Sequence, residues 1–357
     1  MTHAIVQPSA ADQLRFLSRV QRLLDSGRFT ATYKFALFLS LAELAVERGD
    51  DSGGPLRIPM DAISERFLSI YWSQAAPYQS QGTATVLQQN TGRQAAIITK
   101  IAEAQGAINV SLGVAKSRPE WTALIRRARQ IVVTMPLLRL QSIGTDEGAS
   151  QTDCFLYENI VPGDELELYP GVAFCLRRFF PLLHGMVRAK WISWVQAQNC
   201  KALGAVQDLE SFMFGTDRRN VRAIIEPLLE LQSGRCFYRP NISLDPTTVH
   251  VDHFIPWAKY PCDAVTNLVL ASPSANNSKK DHLPATEHLE RWCERNDGQR
   301  ALLANAAKET GIETGEGSIK QVAAWAYGSQ EAINGLVWHA TAGLVQFDPR
   351  WRQILGL

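Results

Sequence analysis

The N-terminal part of the chain places apolar side chains at the spacing of an α-helix. Leucine and valine recur every three or four positions over residues 11–24, and two further apolar or amphipathic stretches follow over 30–47 and 61–71. The turn-rich segment 49–55 separates the second stretch from the third. Three short helices of this kind predict a helical bundle, with a helix-turn-helix variant as the alternative.

Between residues 130 and 172 the pattern changes to short runs of β-prone side chains. The runs IVVTMPLL, DCFLYEN and DELELYP are separated by Gly, Pro and Asp, which predicts a small sheet, and 144–153 is the predicted exposed loop. Further helices are predicted over 185–200, 208–214, 218–231, 285–310 and 318–343. The expected fold class is therefore α+β and mainly helical, with a domain boundary near residues 204–216.

The composition is that of a globular protein. Hydrophobic residues make up 46% of the chain and charged residues 20%, so a sizeable core can be buried. The six cysteines form no C-x-x-C pair and are typical of reduced thiols in an intracellular protein. We expect no signal peptide, and no apolar run approaches the roughly 18 residues of a membrane span. These features predict a cytoplasmic protein without a membrane partner.

Positive charge is concentrated in two parts of a chain whose net charge is only +1. Residues 86–140 carry eight basic and two acidic side chains, and residues 168–207 carry five basic side chains and no Asp or Glu. Segregated charge is the electrostatic footprint expected for binding a phosphate backbone, although solvated helix faces would give the same count. The predicted substrate-binding residues here are Arg126, Arg127, Arg129, Arg177 and Arg178.

The segment after residue 232 combines a predicted hairpin with a predicted helix. Residues 247–251 are a plausible strand that ends in Asp252 and His253, and residues 267–271 form a second strand. Ser272 is a helix N-cap with proline at the next position, and the helix it opens carries Asn276 about one turn in. We therefore expect Asp252, His253 and Asn276 to converge where the strands meet the helix.

These side chains suit the hydrolysis of a phosphodiester. The reaction needs a nucleophilic water, a base for its proton and a cation at the developing negative charge. The Asp252 carboxylate and the Asn276 carbonyl oxygen are predicted ligands for one Mg²⁺ or Mn²⁺ ion. His253 is the predicted general base, because histidine ionises near neutral pH. Lys279 or Lys280 is predicted to contact a phosphate oxygen.

The ordered motifs HVDHFIPW, NLVLA and SANNSKKDHLP make residues 232–284, about a seventh of the chain, resemble the HNH endonuclease family. The resemblance implies a ββα-metal fold in which Asp252 and Asn276 hold the metal and His253 is the general base. It also implies that Asn267 ties the loop and helps to orient the base. Residues 1–205 resemble no family that we recognise.

One part of the segment departs from the family. Many members carry two C-x-x-C pairs that bind a structural zinc beside the hairpin. Here Cys236 is kept, but Arg239, Ser272 and Ala275 stand at the other expected positions. Since zinc needs about four nitrogen or sulfur ligands, we expect no structural zinc. Packing by Phe237, Tyr238 and Trp257 would brace the segment instead.

The resulting hypothesis is a metal-dependent endonuclease of two parts. Residues 1–205 would recognise or regulate, and residues 206–357 would form the HNH nuclease domain with flanking helices. DNA is the expected substrate, with RNA as an alternative. A restriction or antiviral-defence effector is favoured by analogy over a mobile-element or homing nuclease and a repair enzyme. The rival from another class is a non-catalytic nucleic-acid-binding adaptor. A homodimer or a partner protein of a defence system remains open.

Overall fold

The chain divides into two units. A computed structural model describes residues 6–27, 29–80, 83–106, 110–144, 150–203, 208–215, 222–315 and 317–357. The first unit contains residues 1–110 and 117–215, and the second contains 111–116 and 216–357. Parts of the predicted boundary region 204–216, part of the loop predicted over 144–153 and the start of the helix predicted over 218–231 lie outside the described residues.

Helices dominate the described part of the chain, which confirms the expected fold class. In chain order they are α1 (Ala10–Ser26), α2 (Tyr33–Arg48), α3 (Met60–Tyr71), α4 (Ala96–Gln105), α5 (Leu112–Lys116), α6 (Trp121–Thr134), α7 (Val172–Arg178), α8 (Phe180–Gln198), α9 (Cys200–Leu203), α10 (Leu209–Phe214), α11 (Ile225–Leu231), α12 (Pro273–Lys279), α13 (Thr286–Gly298), α14 (Arg300–Thr310), α15 (Ser318–Glu331) and α16 (Trp351–Leu355). No helix among the described residues is long and apolar enough to cross a membrane.

The strands form antiparallel pairs. They are β1 (Leu56–Pro59), β2 (Tyr78–Ser80), β3 (Thr83–Thr85), β4 (Ser142–Gly144), β5 (Ser150–Thr152), β6 (Glu165–Leu168), β7 (His250–His253), β8 (Leu268–Ala271), β9 (Val337–His339) and β10 (Gly343–Val345). Strand β1 pairs with β6, and the other pairs are β2–β3, β4–β5, β7–β8 and β9–β10. The described sheets are therefore small, and helices supply most of the core.

The first unit is built around buried helix faces. Helix α1 begins at a capping box, in which the Ser9 hydroxyl accepts from the Asp12 N–H and the Asp12 carboxylate accepts from the Ser9 N–H. The helix buries Val20 and Leu23 at helical spacing. Helix α2 is buried along almost its whole length, as its apolar sequence requires. These helices confirm the predicted N-terminal helical pattern.

The sheet predicted from the runs between residues 130 and 172 is wrong in two of its three members. Residues 131–134 end helix α6, because Trp121, Ala128 and Val132 recur on one buried helix face. Residues 153–159 contribute a single bridge, from Tyr157 to Leu168. The third run does form strand β6, but its partner β1 lies more than a hundred positions earlier. Local β-propensity did not reveal this long-range pairing.

The second unit holds the hairpin of β7 and β8 against helices. All four residues of β8 are buried, and Leu268 and Leu270 join a cluster that also contains Leu228, Val265 and Leu303. Each such side chain contributes about 2 kcal/mol of hydrophobic stabilisation. Helix α12 follows β8 after the Ser272 N-cap, whose hydroxyl accepts from the Ala275 N–H. The predicted hairpin and helix are therefore present, although the first strand begins at His250 rather than at Thr247.

Two predicted helices of the second unit need correction. The segment 285–310 forms two helices, α13 and α14, rather than one. The helix predicted over 318–343 ends at Glu331, and the hairpin of β9 and β10 follows. Asn334 has a φ of 50°, and the Gly335 N–H bonds back to the Gln330 carbonyl, so the chain turns here.

Candidate active site

Asp252, His253 and Asn276 line one cavity in the second unit. Asp252 and His253 stand at the end of β7, and Asn276 lies at the middle of α12. The cavity has a volume of about 570 Å³, and its lining also includes Trp257, Lys280 and Asp281. Because β8 and the Ser272 cap fix where the helix starts, the hairpin and the helix bring the three side chains together. The convergence expected from the sequence is observed, while their roles stay predictions.

Asp252 is held by two buried donors. The Tyr238 hydroxyl donates to Asp252 Oδ2 at 2.6 Å, and Lys279 Nζ lies 3.0 Å from Oδ2 and 3.2 Å from Oδ1. The Asp252 residue is 8% exposed. Burial, and secondarily the negative charge of Asp252, raises the pKa of the Tyr238 hydroxyl, so this group stays a donor. The carboxylate is thereby fixed at the cavity wall.

Lys279 lies beneath the cavity, and the prediction that it contacts a phosphate is corrected. Its residue exposure is 0%, and its ammonium donates both to Asp252 and to the His253 carbonyl oxygen at 2.8 Å. Burial lowers the pKa of Lys279, whereas the charge of Asp252 opposes that shift. A fully buried ammonium cannot reach a substrate in this conformation. Its place in α12 turns the side chain inward, toward β7.

Lys280, the next residue, is accessible from the cavity, whereas Lys279 is not. It is exposed, it lines the cavity, and it follows the last residue of α12. Its φ of 50° lies in the left-handed region, which is uncommon for a residue with a side chain. Of the two lysines proposed from the sequence, Lys280 is the one with its side chain exposed at the cavity.

Asn276 is oriented by a histidine of β7, His250. Its side-chain nitrogen lies 3.0 Å from His250 Nδ1. An amide nitrogen can only donate, so His250 Nδ1 accepts. This bond points the amide nitrogen of Asn276 toward His250, so the amide oxygen of Asn276 points away from His250. His250 precedes Asp252 by two positions on β7, so the two side chains lie on the same face of the strand.

Asn267 ties the loop between β7 and β8 from inside. It is fully buried, its Oδ1 accepts from the Ile255 N–H at 2.8 Å, and its Nδ2 donates to the carbonyl oxygens of Ile255 and Cys262 at 3.1 Å. Asn267 lies away from the cavity lining formed by the described residues. Its contacts agree with the loop-tying role that the family resemblance implies and give it no direct contact with a reacting group.

His253 has an acidic neighbour that the motifs did not indicate. Its Nε2 lies 2.7 Å from Asp263 Oδ1, and its ring centroid lies 5.4 Å from that of Trp257. In the described part of the chain, Asp263 is the one hydrogen-bond partner of the His253 ring. Asp263 lies in an irregular loop ten positions later, so no periodicity connected it to His253. The pair is a product of the fold.

The donor set at the cavity fits a small, hard divalent ion. Asp252 offers one carboxylate and Asn276 one amide oxygen, and both line the same cavity. Mg²⁺ usually takes one or two protein carboxylates and keeps several waters or substrate oxygens, so two protein ligands suffice. The described residues contain no group of three or more His, Cys, Asp or Glu side chains arranged to hold a metal.

The positions that hold zinc in many HNH members make other contacts here. Cys236 is buried, and its sulfur accepts from the Ser272 N–H at 3.3 Å. The Arg239 guanidinium donates to the Ala340 carbonyl oxygen. Phe237 and Tyr238 are buried as expected for packing residues, whereas Trp257 is half-buried beside His253. The predicted absence of zinc stays a prediction.

The basic residues predicted in the first unit fall into two groups. Arg126, Arg127 and Arg178 are exposed, and they form no ion pair with the described residues. Arg129 bonds to Asp61 and Asp164. The prediction for Arg177 is corrected, because this arginine is 6% exposed and bonds to Asp51 and to two carbonyl oxygens of helix α2.

Residues 240–285 match the family described as HNH endonuclease. The match covers about an eighth of the chain and includes β7, β8, α12 and the cavity between them. It confirms the family resemblance of this segment and suggests a nuclease, which would make the protein a hydrolase. HNH nucleases generally use a divalent metal ion. No curated protein and no solved structure matches the chain.

Proposed function

We propose that the second unit is a divalent-metal-dependent endonuclease that hydrolyses phosphodiester bonds of DNA. The observation that supports this most is the convergence of Asp252, His253 and Asn276 on one cavity inside the segment that matches the HNH family. A carboxylate, an amide and an imidazole are the groups that the reaction needs. The exposed Lys280 adds a cation at the same cavity.

The chemistry follows from these positions. Asp252 and Asn276 would hold one Mg²⁺ or Mn²⁺ ion, which supplies positive charge at the phosphate oxygens when bound. A water molecule in the cavity attacks phosphorus and gives its proton to His253. The new oxygen–phosphorus bond forms as the bond to the leaving oxygen breaks, and the leaving oxygen takes a proton from solvent. Lys280 orients the phosphate as a point charge.

The first unit and the biological setting belong to the same proposal. A nuclease domain in one unit, joined to a larger unit without a recognised family, supports a design in which residues 1–205 recognise a target or regulate cutting. By analogy, that design is typical of restriction and antiviral-defence effectors. A homing or mobile-element nuclease is the second candidate. The described structure contains no feature that favours it over defence.

The proposal is tested by cleavage with and without metal. Supercoiled plasmid and single-stranded RNA are incubated with the full chain in Mg²⁺, in Mn²⁺ or in a chelator. The wild type should cut DNA only with metal, and Asp252→Asn should abolish most of that activity while keeping the Tyr238 contact. Asp297→Asn, at an exposed acid of α13, is the matched control and should cut normally.

The rival adaptor function predicts a different outcome. The protein would then bind DNA in chelator and in metal alike and would leave the plasmid intact under every condition. Its affinity would also survive Asp252→Asn, because phosphate contacts rather than the cavity would hold the DNA. That combination would overturn the proposed activity.

A further inference from the structure

We infer that Asp263 is a positioning residue for His253, an inference that rests on the proposed function. The observation is the 2.7 Å contact between Asp263 Oδ1 and His253 Nε2. A carboxylate can only accept, so Nε2 carries the proton of this bond. In a neutral imidazole, Nδ1 is then the nitrogen with the free lone pair. Asp263 thus selects which nitrogen of His253 can take a proton from water.

Asp263 acts through His253 rather than on the substrate. His253 lines the cavity, whereas Asp263 is not part of the lining formed by the described residues. The side chains of the two residues are 18% and 32% exposed, so the pair lies at the edge of the protein rather than in its core. The arrangement is that of a base oriented by a carboxylate behind it, a geometry that recurs in unrelated hydrolases.

The backbone on both sides of Asp263 is fixed by the fold. Asn267 Nδ2 donates to the carbonyl oxygen of the preceding residue, Cys262. On the other side, the Val265 N–H donates to the Glu313 carbonyl oxygen at 2.8 Å. These two bonds hold the loop at the place where the Asp263 carboxylate meets the His253 ring. The buried Asn267 thereby orients the base indirectly, by way of the loop that carries Asp263.

Gly315 also contributes to the position of the loop that carries Asp263. Its φ is +76°, and a Cβ added to it would lie 2.3 Å from the Cβ of Ala264, the neighbour of Asp263. Any side chain at position 315 would therefore push the Asp263 loop away or strain the backbone. Glycine is required here because the segment 313–315 runs directly against the loop that carries Asp263.

The first measurement needs neither substrate nor metal. In protein with ¹⁵N-labelled histidine, NMR of the seven histidines reports which ring nitrogen carries the proton, and the His253 signals are identified by their loss in His253→Ala. The wild type should show the Nε2–H form, and Asp263→Ala should shift His253 toward a mixture of the two forms. An Nδ1–H form in the wild type, or an unchanged form in Asp263→Ala, would overturn the inference whether or not the protein cuts DNA.

The second measurement compares single-turnover rates at saturating DNA. Asp263→Ala should lower the rate at least about ten-fold and by no more than His253→Ala, and Asp297→Ala should not change it. Adding Asp263→Ala to His253→Ala should lower the rate no further, because the acid acts through the histidine. Additive losses, or a large loss of Mn²⁺ affinity in Asp263→Ala, would contradict positioning and point to a direct role. A wild type that cuts nothing refutes the proposed function, and the NMR result still decides the role of Asp263.

Discussion

Two regions of the sequence predict functional residues: the hairpin-and-helix segment of the second unit and the basic stretches of the first unit. The fold brings the predicted residues together in the first region but not in the second. In the segment, three polar side chains separated by up to 24 positions meet at one cavity. In the basic stretches, Arg177 and Arg129 make internal contacts, while Arg126, Arg127 and Arg178 stay exposed. Spacing within a known hairpin and helix specifies a place in three dimensions. A count of charges along the chain does not specify where those charges lie in the fold.

The largest expected effect is a difference in the free energy of unfolding between variants of two adjacent lysines. Lys279→Met leaves the buried Asp252 without its ammonium partner, which should lower the free energy of unfolding by about 3–5 kcal/mol. Lys280→Met removes an exposed side chain and should change it by less than about 0.5 kcal/mol. Urea unfolding of both variants without metal, followed by tryptophan fluorescence, checks the difference.

Lys280→Met is also the control for substrate contact. We expect it to weaken DNA binding while leaving stability intact, because its ammonium is exposed at the cavity. An equal loss of stability in both variants would show that the difference in exposure between the two lysines does not determine their contribution to the free energy of unfolding.

The next effect concerns the side-chain amide of Asn276, the proposed metal ligand. His250 accepts from the Asn276 amide nitrogen and so keeps the amide oxygen turned elsewhere. Removing a partner that orients a metal ligand typically costs about 10–100-fold in affinity, so His250→Ala should weaken Mn²⁺ binding by roughly ten-fold. Titration followed by electron paramagnetic resonance measures it.

His250→Gln is the matched variant, because its amide oxygen can still accept from Asn276. It should restore most of the Mn²⁺ affinity. Unchanged affinity in His250→Ala would mean that this contact does not orient the ligand.

The smallest effect lies in the first unit. Replacing the exposed pair Arg126 and Arg127 with alanine should weaken DNA binding on every sequence and reduce the salt slope by about one unit for each phosphate that an arginine no longer neutralises. The measurement is binding affinity across a range of salt concentrations in chelator. Arg57→Ala is the control, since Arg57 is exposed but paired with Glu167. Identical slopes for both variants would remove Arg126 and Arg127 from the binding surface.

The sequence predicted the hairpin, the capped helix and their convergence because each has a local signal. Ser272 and the following proline mark the helix start, and the β-branched run 247–251 indicated a strand, although β7 begins only at His250. Contacts made across the fold have no such signal. Asp263 reaches His253 from an irregular loop, and Tyr238 reaches Asp252 from 14 positions away. No periodic pattern in the sequence indicates which residues form contacts of this kind.

Burial was the other property that local patterns missed. Lys279 and Lys280 have the same side chain and adjacent positions, so the sequence could not separate them. Helix α12 turns Lys279 inward and ends before Lys280, and this end of the helix decides which lysine is exposed. The pairing of β6 was missed in a similar way, since its partner β1 depends on the chain's long-range path.

The most direct test of the central claim is the single-turnover cleavage rate of saturating DNA in Mg²⁺. His253→Ala should lower that rate by about a hundred-fold or more, because the proton of the attacking water loses its acceptor. The Arg126→Ala, Arg127→Ala double variant should reach the wild-type rate once DNA is saturating, since its arginines lie in the other unit. A wild-type rate in His253→Ala, or an equal reduction in both variants, would contradict the assignment of the chemistry to the cavity of the second unit.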